Sequence, residues 1–402
     1  FIIISKCDIF TLEEVITMDD NMRNAWLDMI SKVYTNLHNS DRVLKASNVS
    51  DKKRERLLKY FERLEELHNR VSETRSVNGE KLLKSFYYDL YVIKPENIPD
   101  AYFQNQVRLA RERGYGNIEL TEEDKRRMTE EVIDDQKKSL DKWIELRKIC
   151  HELEKDRYVD GIVITHGTDT LEETAFFLNL TLACHKPVVL TGSMRPATAT
   201  SADGPMNLYQ AVALACHMEA WQAGVLAVIS DTIYSGRDLQ KTNSYKTDAF
   251  KMGEFGSLGY MRDDHVYLLN SPFKKHTFQT IFSKMEFEDL PKVEIFYVHT
   301  DSDPELLEYM LNKYDGLVLA GTGSGNYSTK IKEVLETYAG NCTIVRASRV
   351  LEGAVFDSDV FDSKKVTIPA YKFSAQKARI LLMLALNCTK NHETIKSFFQ
   401  EY

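Results

Sequence analysis

From Val159 onward, apolar and polar positions fall into alternating blocks. The apolar runs Val159–Thr165, Pro187–Thr191, Gly224–Ile229, Val293–Val298, Gly316–Ala320 and Thr343–Arg346 are each of strand length, and most end in Gly, Ser, Thr or Asp. Segments long enough for helices separate them. An uninterrupted apolar run suits a strand covered on both faces, so the alternation predicts an α/β fold: a mainly parallel sheet with helices on both faces. In such sheets ligands bind beyond the carboxyl ends of the strands, which directs the search for chemistry to the polar loops there. A stretch at 271–290, with a proline near each end, reads as a linker between a large domain and a smaller C-terminal α/β domain at 291–402.

The pattern before Trp143 is different. Residues 41–142 hold 22 Lys and Arg and 21 Asp and Glu, 42% of that stretch, against 23% in the remainder. Within it Leu57, Phe61, Leu64, Leu67 and Val71 recur at helical spacing, and Thr121 with Glu122 and Glu123 has the signature of a helix start. We read a charged, mainly helical insert at 41–142, interrupting a large domain made of 1–40 with 143–270. The basic run Lys125-Arg126-Arg127 sits among acids and reads as a solvated helix face. The chain opens Phe1-Ile-Ile-Ile-Ser5 with neither an initiator Met nor a basic leader, so its start is read as missing or processed. The compartment stays open: cytoplasmic, or periplasmic or secreted if a leader was removed.

Composition narrows the classes. With 402 residues, 52 Lys and Arg against 60 Asp and Glu, and a formal charge of −8, the chain lacks the basic excess that neutralises phosphates, so no nucleic-acid partner is expected. No apolar run reaches the roughly 18 residues of a membrane span. Six scattered cysteines show neither C-x-x-C nor zinc-finger spacing, and no H-E-x-x-H occurs; no metal or other cofactor is expected. One disulfide stays open.

The loop after the first apolar run carries the densest chemistry. Asp160-Gly-Ile-Val-Ile-Thr-His-Gly-Thr-Asp-Thr-Leu-Glu-Glu173 places Thr168 and Asp169 between a strand end and a helix start, with Thr170 and Glu173 spaced as a capping box. Backbone amides and the helix dipole favour developing negative charge there. A hydroxyl beside a carboxylate suits a threonine nucleophile, which needs a base and a positioned partner. Two more loops follow strands: Gly192-Ser-Met-Arg-Pro196 with Thr200-Ser-Ala-Asp-Gly-Pro-Met-Asn207, and Asp231 to Asn243, which contains Lys241. A lysine near a carboxylate either holds it ionised or acts as a base. His166 precedes the Thr-Asp pair and reads as a hydrogen-bonding spacer.

These segments, together with Lys275-His276, Leu290-Pro-Lys292, Ala320-Gly-Thr-Gly-Ser-Gly-Asn326, Val345-Arg-Ala-Ser-Arg349 and Gln376 to Leu386, resemble the bacterial-type L-asparaginases over about residues 143–402. The resemblance implies a homotetramer, a dimer of dimers, whose subunits hydrolyse asparagine, and often glutamine, to the acid and ammonia without a metal. It implies that Thr168, Asp169 and Lys241 form the catalytic Thr–Lys–Asp set, with Asp169 also binding the substrate α-amino group. Gly167, Thr168, Gly192 and Ser193 would line the amino-acid pocket. Ser324 and Asp359 fall where relatives donate an asparagine and a glutamate to a neighbouring subunit's pocket.

The chain departs from the family pattern at its start. Relatives begin with a strand running into Thr-Gly-Gly-Thr, whose first threonine is the usual nucleophile; that tetrapeptide occurs nowhere here. Phe1–Ser5 matches the opening strand, but Lys6-Cys7-Asp8 follows it. The segment that supplies a substrate-binding serine has only loose matches, at Met18–Met22 and at Asp135-Gln136. Two readings therefore stand: an asparaginase-type amidohydrolase using a threonine nucleophile, or a catalytically impaired asparaginase-like scaffold binding an amino acid or a protein partner. A third, an amidotransferase subunit acting on acylated tRNA, is opposed by the acidic charge balance.

Overall fold

The computed structural model describes residues 2–5, 139–157, 159–196, 199–360 and 362–402. The loose matches at Met18–Met22 and Asp135-Gln136, and the insert except its last four residues, lie outside this set. The chain divides into two compact units, 1–85 with 146–402, and 86–145. In the second unit, the described residues form the beginning of helix α1 (Ser139–Lys155).

The first unit opens with β1 (Ile2–Ser5). After α1 come β2 (Ile162–Thr165), α2 (Leu171–Thr181), β3 (Val188–Thr191), α3 (Gly204–Cys216), β4 (Val225–Ile229) and β5 (Thr232–Ser235). A small ribbon follows, β6 (Gln240–Lys241) with β7 (Phe250–Lys251), and then β8 (Gly259–Arg262) and β9 (His265–Leu268). Among the described residues the large sheet has the order β1-β2-β3-β4-β5-β8-β9. The first four strands are parallel, with β1 against β2 in the register Ile2 to Ile162 through Ser5 to Thr165. The apolar residues of β2, β3 and β4 are buried along their length, as two covered faces require.

The other half of the sheet is antiparallel, which the expectation of a mainly parallel sheet did not anticipate. Only Ser230 and Asp231 join β4 to β5, and a two-residue link permits no crossover. Both residues have left-handed φ values, 52° and 62°, the conformation of a type I′ hairpin turn. Ser-Asp lacks the Asn-Gly or Asp-Gly signal that announces such turns. Side chains of α3 hold it instead: Asn207 Oδ1 accepts from Ser230 N at 3.0 Å, and Gln210 Nε2 donates to Asp231 Oδ1 at 2.5 Å.

The stretch read as a linker is packed against α2. Thr277, Phe282 and Ser283 are buried in two short 3-10 turns, and Thr280, buried between them, donates its Oγ1 hydrogen to Leu180 O at 2.5 Å. Arg147, buried, donates to Thr181 O, Ser283 O and Met285 O, tying α1, α2 and this stretch together.

A second, all-parallel sheet follows: β10 (Val293–Tyr297), α4 (Pro304–Lys313), β11 (Gly316–Gly321), α5 (Thr329–Thr337), β12 (Thr343–Ser348) and β13 (Thr367–Pro369), paired in that order. Helices α4 and α5 pack Leu307, Leu311, Ile331 and Leu335 against Leu317 and Leu319 on one face. Helices α6 (Ala375–Cys388) and α7 (His392–Glu401) complete the chain. Helix α6 is buried on every side from Ile380 to Ala385 because it lies against β10 and β11 and also against α2. The α/β architecture with a smaller C-terminal α/β portion is thus as expected. No described helix is long and apolar enough to cross a membrane. The described cysteines, all but Cys7, are thiols.

Candidate active site

The parallel strands β2 and β3 end side by side, and their outgoing loops build the site. His166 N donates to Thr191 O at 2.8 Å, so the two chains leave the sheet still hydrogen-bonded. The His166 ring is buried, with Nε2 2.8 Å from Thr174 Oγ1 and Nδ1 2.5 Å from Gly167 O, which anchors the loop to α2. That is the spacer role expected of it. The expected capping box does not form: the Thr170 side chain makes no cap hydrogen bond, and its carbonyl accepts from Glu173 N and Thr174 N. The acid that turns inward is Glu172.

Thr168, Asp169 and Lys241, more than seventy residues apart, converge. Lys241 Nζ donates to Thr168 Oγ1 at 3.0 Å and to Asp169 Oδ1 at 2.5 Å. The lysine stem is largely buried, whereas the Asp169 side chain is about half exposed (54%). Lys241 sits on β6, held by β7 on one side and by Glu172 on the other: Glu172 Oε2 accepts from Lys241 N at 2.6 Å. Burial pushes the Glu172 carboxyl upward from its ordinary range, opposed by the charges of Lys377 and Lys241 and by the Lys241 amide.

The loop after β3 lies against the Thr168 loop with no room to spare. A Cβ on Gly192 would stand 2.4 Å from His166 O and 3.3 Å from the Thr168 methyl, so the two strand ends can meet only at a glycine. Asp203, just before α3, accepts from Met194 N and Arg195 N, both at 2.9 Å, and Arg195 Nη1 donates to Ser201 O at 2.8 Å. Ser193 Oγ donates to Arg195 O at 2.9 Å. Asn207, buried, joins three parts: its Nδ2 donates to Gly192 O (2.9 Å) and Asp203 Oδ2 (3.1 Å), and its Oδ1 takes Ser230 N. Asn207→Ala removes a donor and an acceptor from buried partners, and we expect it to destabilise the chain by about 1–3 kcal/mol; urea denaturation checks this, and an unchanged midpoint would refute it.

Of the remaining expected site residues, Gly167 and Ser193 are exposed beside this cluster, and Gly192 is partly covered. Ser324 and Asp359 lie elsewhere, on exposed loops of the second sheet; the Ser324 hydroxyl donates to Ala354 O at 3.5 Å, and its carbonyl accepts from Arg346. Sequence reasoning missed Glu172, Asp203 and Asn207 as organisers. Each stands inside a quoted motif, but their roles become visible only once the strand ends are side by side. Among the described residues no cluster of His, Cys, Asp and Glu is arranged to hold a metal.

Known proteins resemble this chain over most of its length. Residues 52–274 match the asparaginase N-terminal family model, and 292–399 match the glutaminase/asparaginase C-terminal domain. The chain is 42% identical to L-asparaginase 2 of Escherichia coli K12, covering 65% of this chain and 75% of that one. It is 41% identical to the glutaminase-asparaginase of Pseudomonas fluorescens biotype A, covering 64% and 72%. Among solved structures, a probable cytoplasmic L-asparaginase from Campylobacter jejuni aligns with a TM-score of 0.60 at 43% identity, covering 65% of this chain and 83% of that one.

Proposed function

The chain belongs to the bacterial-type asparaginase family, as an amidohydrolase of asparagine and glutamine side-chain amides, and from that premise we propose that Thr168 is its nucleophile. The observation that carries this reading is the placement of one ammonium, Lys241 Nζ, within hydrogen-bonding distance of both the Thr168 hydroxyl and the Asp169 carboxylate.

The chemistry follows from that contact. As Thr168 Oγ1 attacks the amide carbon, its proton passes to Lys241 Nζ while Lys241 releases one to Asp169 Oδ1. Amide groups of the Gly192–Ser193 loop stabilise the oxyanion. The leaving nitrogen takes the proton back from Lys241 Nζ, which recovers its own from Asp169, and departs as ammonia; water then attacks the threonyl ester, and its proton goes to Thr168 Oγ1 as the acid is released. Asp169 meets the substrate α-amino group on its exposed side. Gly167 and Ser193 complete the pocket wall in this reading. In a homotetramer Ser324 and Asp359 would face a neighbour's pocket, and 41–142 would be an appended helical insert.

The absence of Thr-Gly-Gly-Thr favours the second reading, an impaired scaffold that binds an amino acid without turnover. One assay separates them. The purified chain is expected to release ammonia and aspartate in equal amounts from L-asparagine, above the background set by Thr168→Ala. Saturable aspartate binding with no ammonia above that background would leave only the scaffold.

A further inference from the structure

Helix α6 carries one charged group where its apolar surface would be expected to continue. Lys377 lies in the first turn, where Ser374 caps its backbone amide and where the helix dipole disfavours a cation. The side chain is buried (4% exposed), with Nζ 5.7 Å from the centre of the Phe176 ring. Its Nζ donates to Arg237 O at 2.6 Å and to Leu239 O at 2.5 Å. Two residues further along, Lys241 N is held by the buried Glu172 carboxylate. Three backbone groups of one short stretch, 237, 239 and 241, are thus gripped by two buried ionisable side chains.

We propose that Lys377 and Glu172 form a clamp that fixes the backbone of residues 237–241 and so aims the Lys241 ammonium at Thr168 and Asp169. Lys377 is a positioning residue reaching the site from the C-terminal part of the chain. The inference rests on the hydrolytic reading above and names what keeps its lysine in place. Burial drives the Lys377 ammonium down to about 8, countered by Glu172 on α2 and Asp238 on the gripped stretch, with Arg237 acting in the same direction as burial. Glu172 in turn faces Lys377 and Lys241. An amine so poised still donates to both carbonyls.

The test compares Glu172→Ala, Glu172→Gln and Lys377→Met in the full chain. Glu172→Ala removes the acceptor for Lys241 N and is expected to lower kcat on asparagine about 10²-fold with KM within about threefold, the signature of misplaced catalytic groups. Glu172→Gln keeps an acceptor oxygen and is expected to restore kcat to within about threefold of wild type. Lys377→Met is expected to lower kcat at least about tenfold and to speed hydrogen exchange in the peptide spanning 237–243. Equal kcat in all the variants that fold, or wild-type exchange in that peptide, would overturn the clamp. If Lys377→Met does not fold, the Glu172 pair decides alone. A wild-type chain that releases no ammonia would overturn the hydrolytic reading instead, while the exchange measurement still judges the clamp.

Discussion

Lys241→Met is expected to lower kcat on asparagine by about 10²–10⁴-fold, the range for losing a positioned proton-transfer group. The side chain keeps its apolar stem and loses all three donors, so both the Thr168 and the Asp169 contacts vanish together. Lys241→Arg separates the two tasks of that ammonium. An arginine retains positive charge beside Asp169 but does not give up a proton at ordinary pH. In Lys241→Arg we expect KM to stay within about threefold of wild type while kcat remains near the Met level. Steady-state kinetics with ammonia detection checks this; an arginine variant with wild-type kcat would show that charge alone suffices and would remove the relay.

The second large effect is expected at Gly192. A single methyl group there collides with the backbone carbonyl of His166, not with a flexible side-chain tip, and presses on the Thr168 methyl. Gly192→Ala is therefore expected to destabilise the chain by about 1–3 kcal/mol as strand ends shift, and to lower kcat about 10²-fold as Thr168 moves off its partners. Gly167→Ala supplies the contrast, since a Cβ there meets nothing within 4 Å. Its melting temperature should match wild type. Thermal denaturation of the two variants reads the difference, and equal melting temperatures would refute the close-approach argument.

Much of this was legible in the residues. The six apolar runs became strands β2, β3, β4, β10, β11 and β12; in all but the edge strand β10, burial on both faces leaves a strong one-dimensional trace. Ile2–Ser5, read as a match to the relatives' opening strand, is a strand paired with β2 at the edge of the large sheet. Thr168, Asp169 and Lys241 were named from the resemblance, and the structure brings their side chains together. What escaped detection depends on three dimensions. The antiparallel half of the large sheet turns on Ser230-Asp231, whose left-handed geometry is enforced by α3 and not by its own sequence. The capping box at Thr170 has the right spacing, yet the buried anchorage of Glu172 on Lys241 N draws on the same turn. Lys377 sits with Gln376 and Arg379 at the start of a mainly apolar helix and reads locally as part of one polar face; only the approach of residues 237–239 from the other sheet's loops gives it a purpose.

Helix α6 has a consequence for how the molecule can be divided. Its buried Ile380–Ala385 surface packs on β10 and β11 of the second sheet and on α2, the helix that covers β3 and β4 of the first, so the two halves share one apolar layer. Cutting between them would expose leucine-rich surface on each fragment, and calorimetry should find one cooperative melting event for this portion where two would be expected of separable halves. Engineering that grafts or swaps the C-terminal half must therefore carry this helix's neighbours with it.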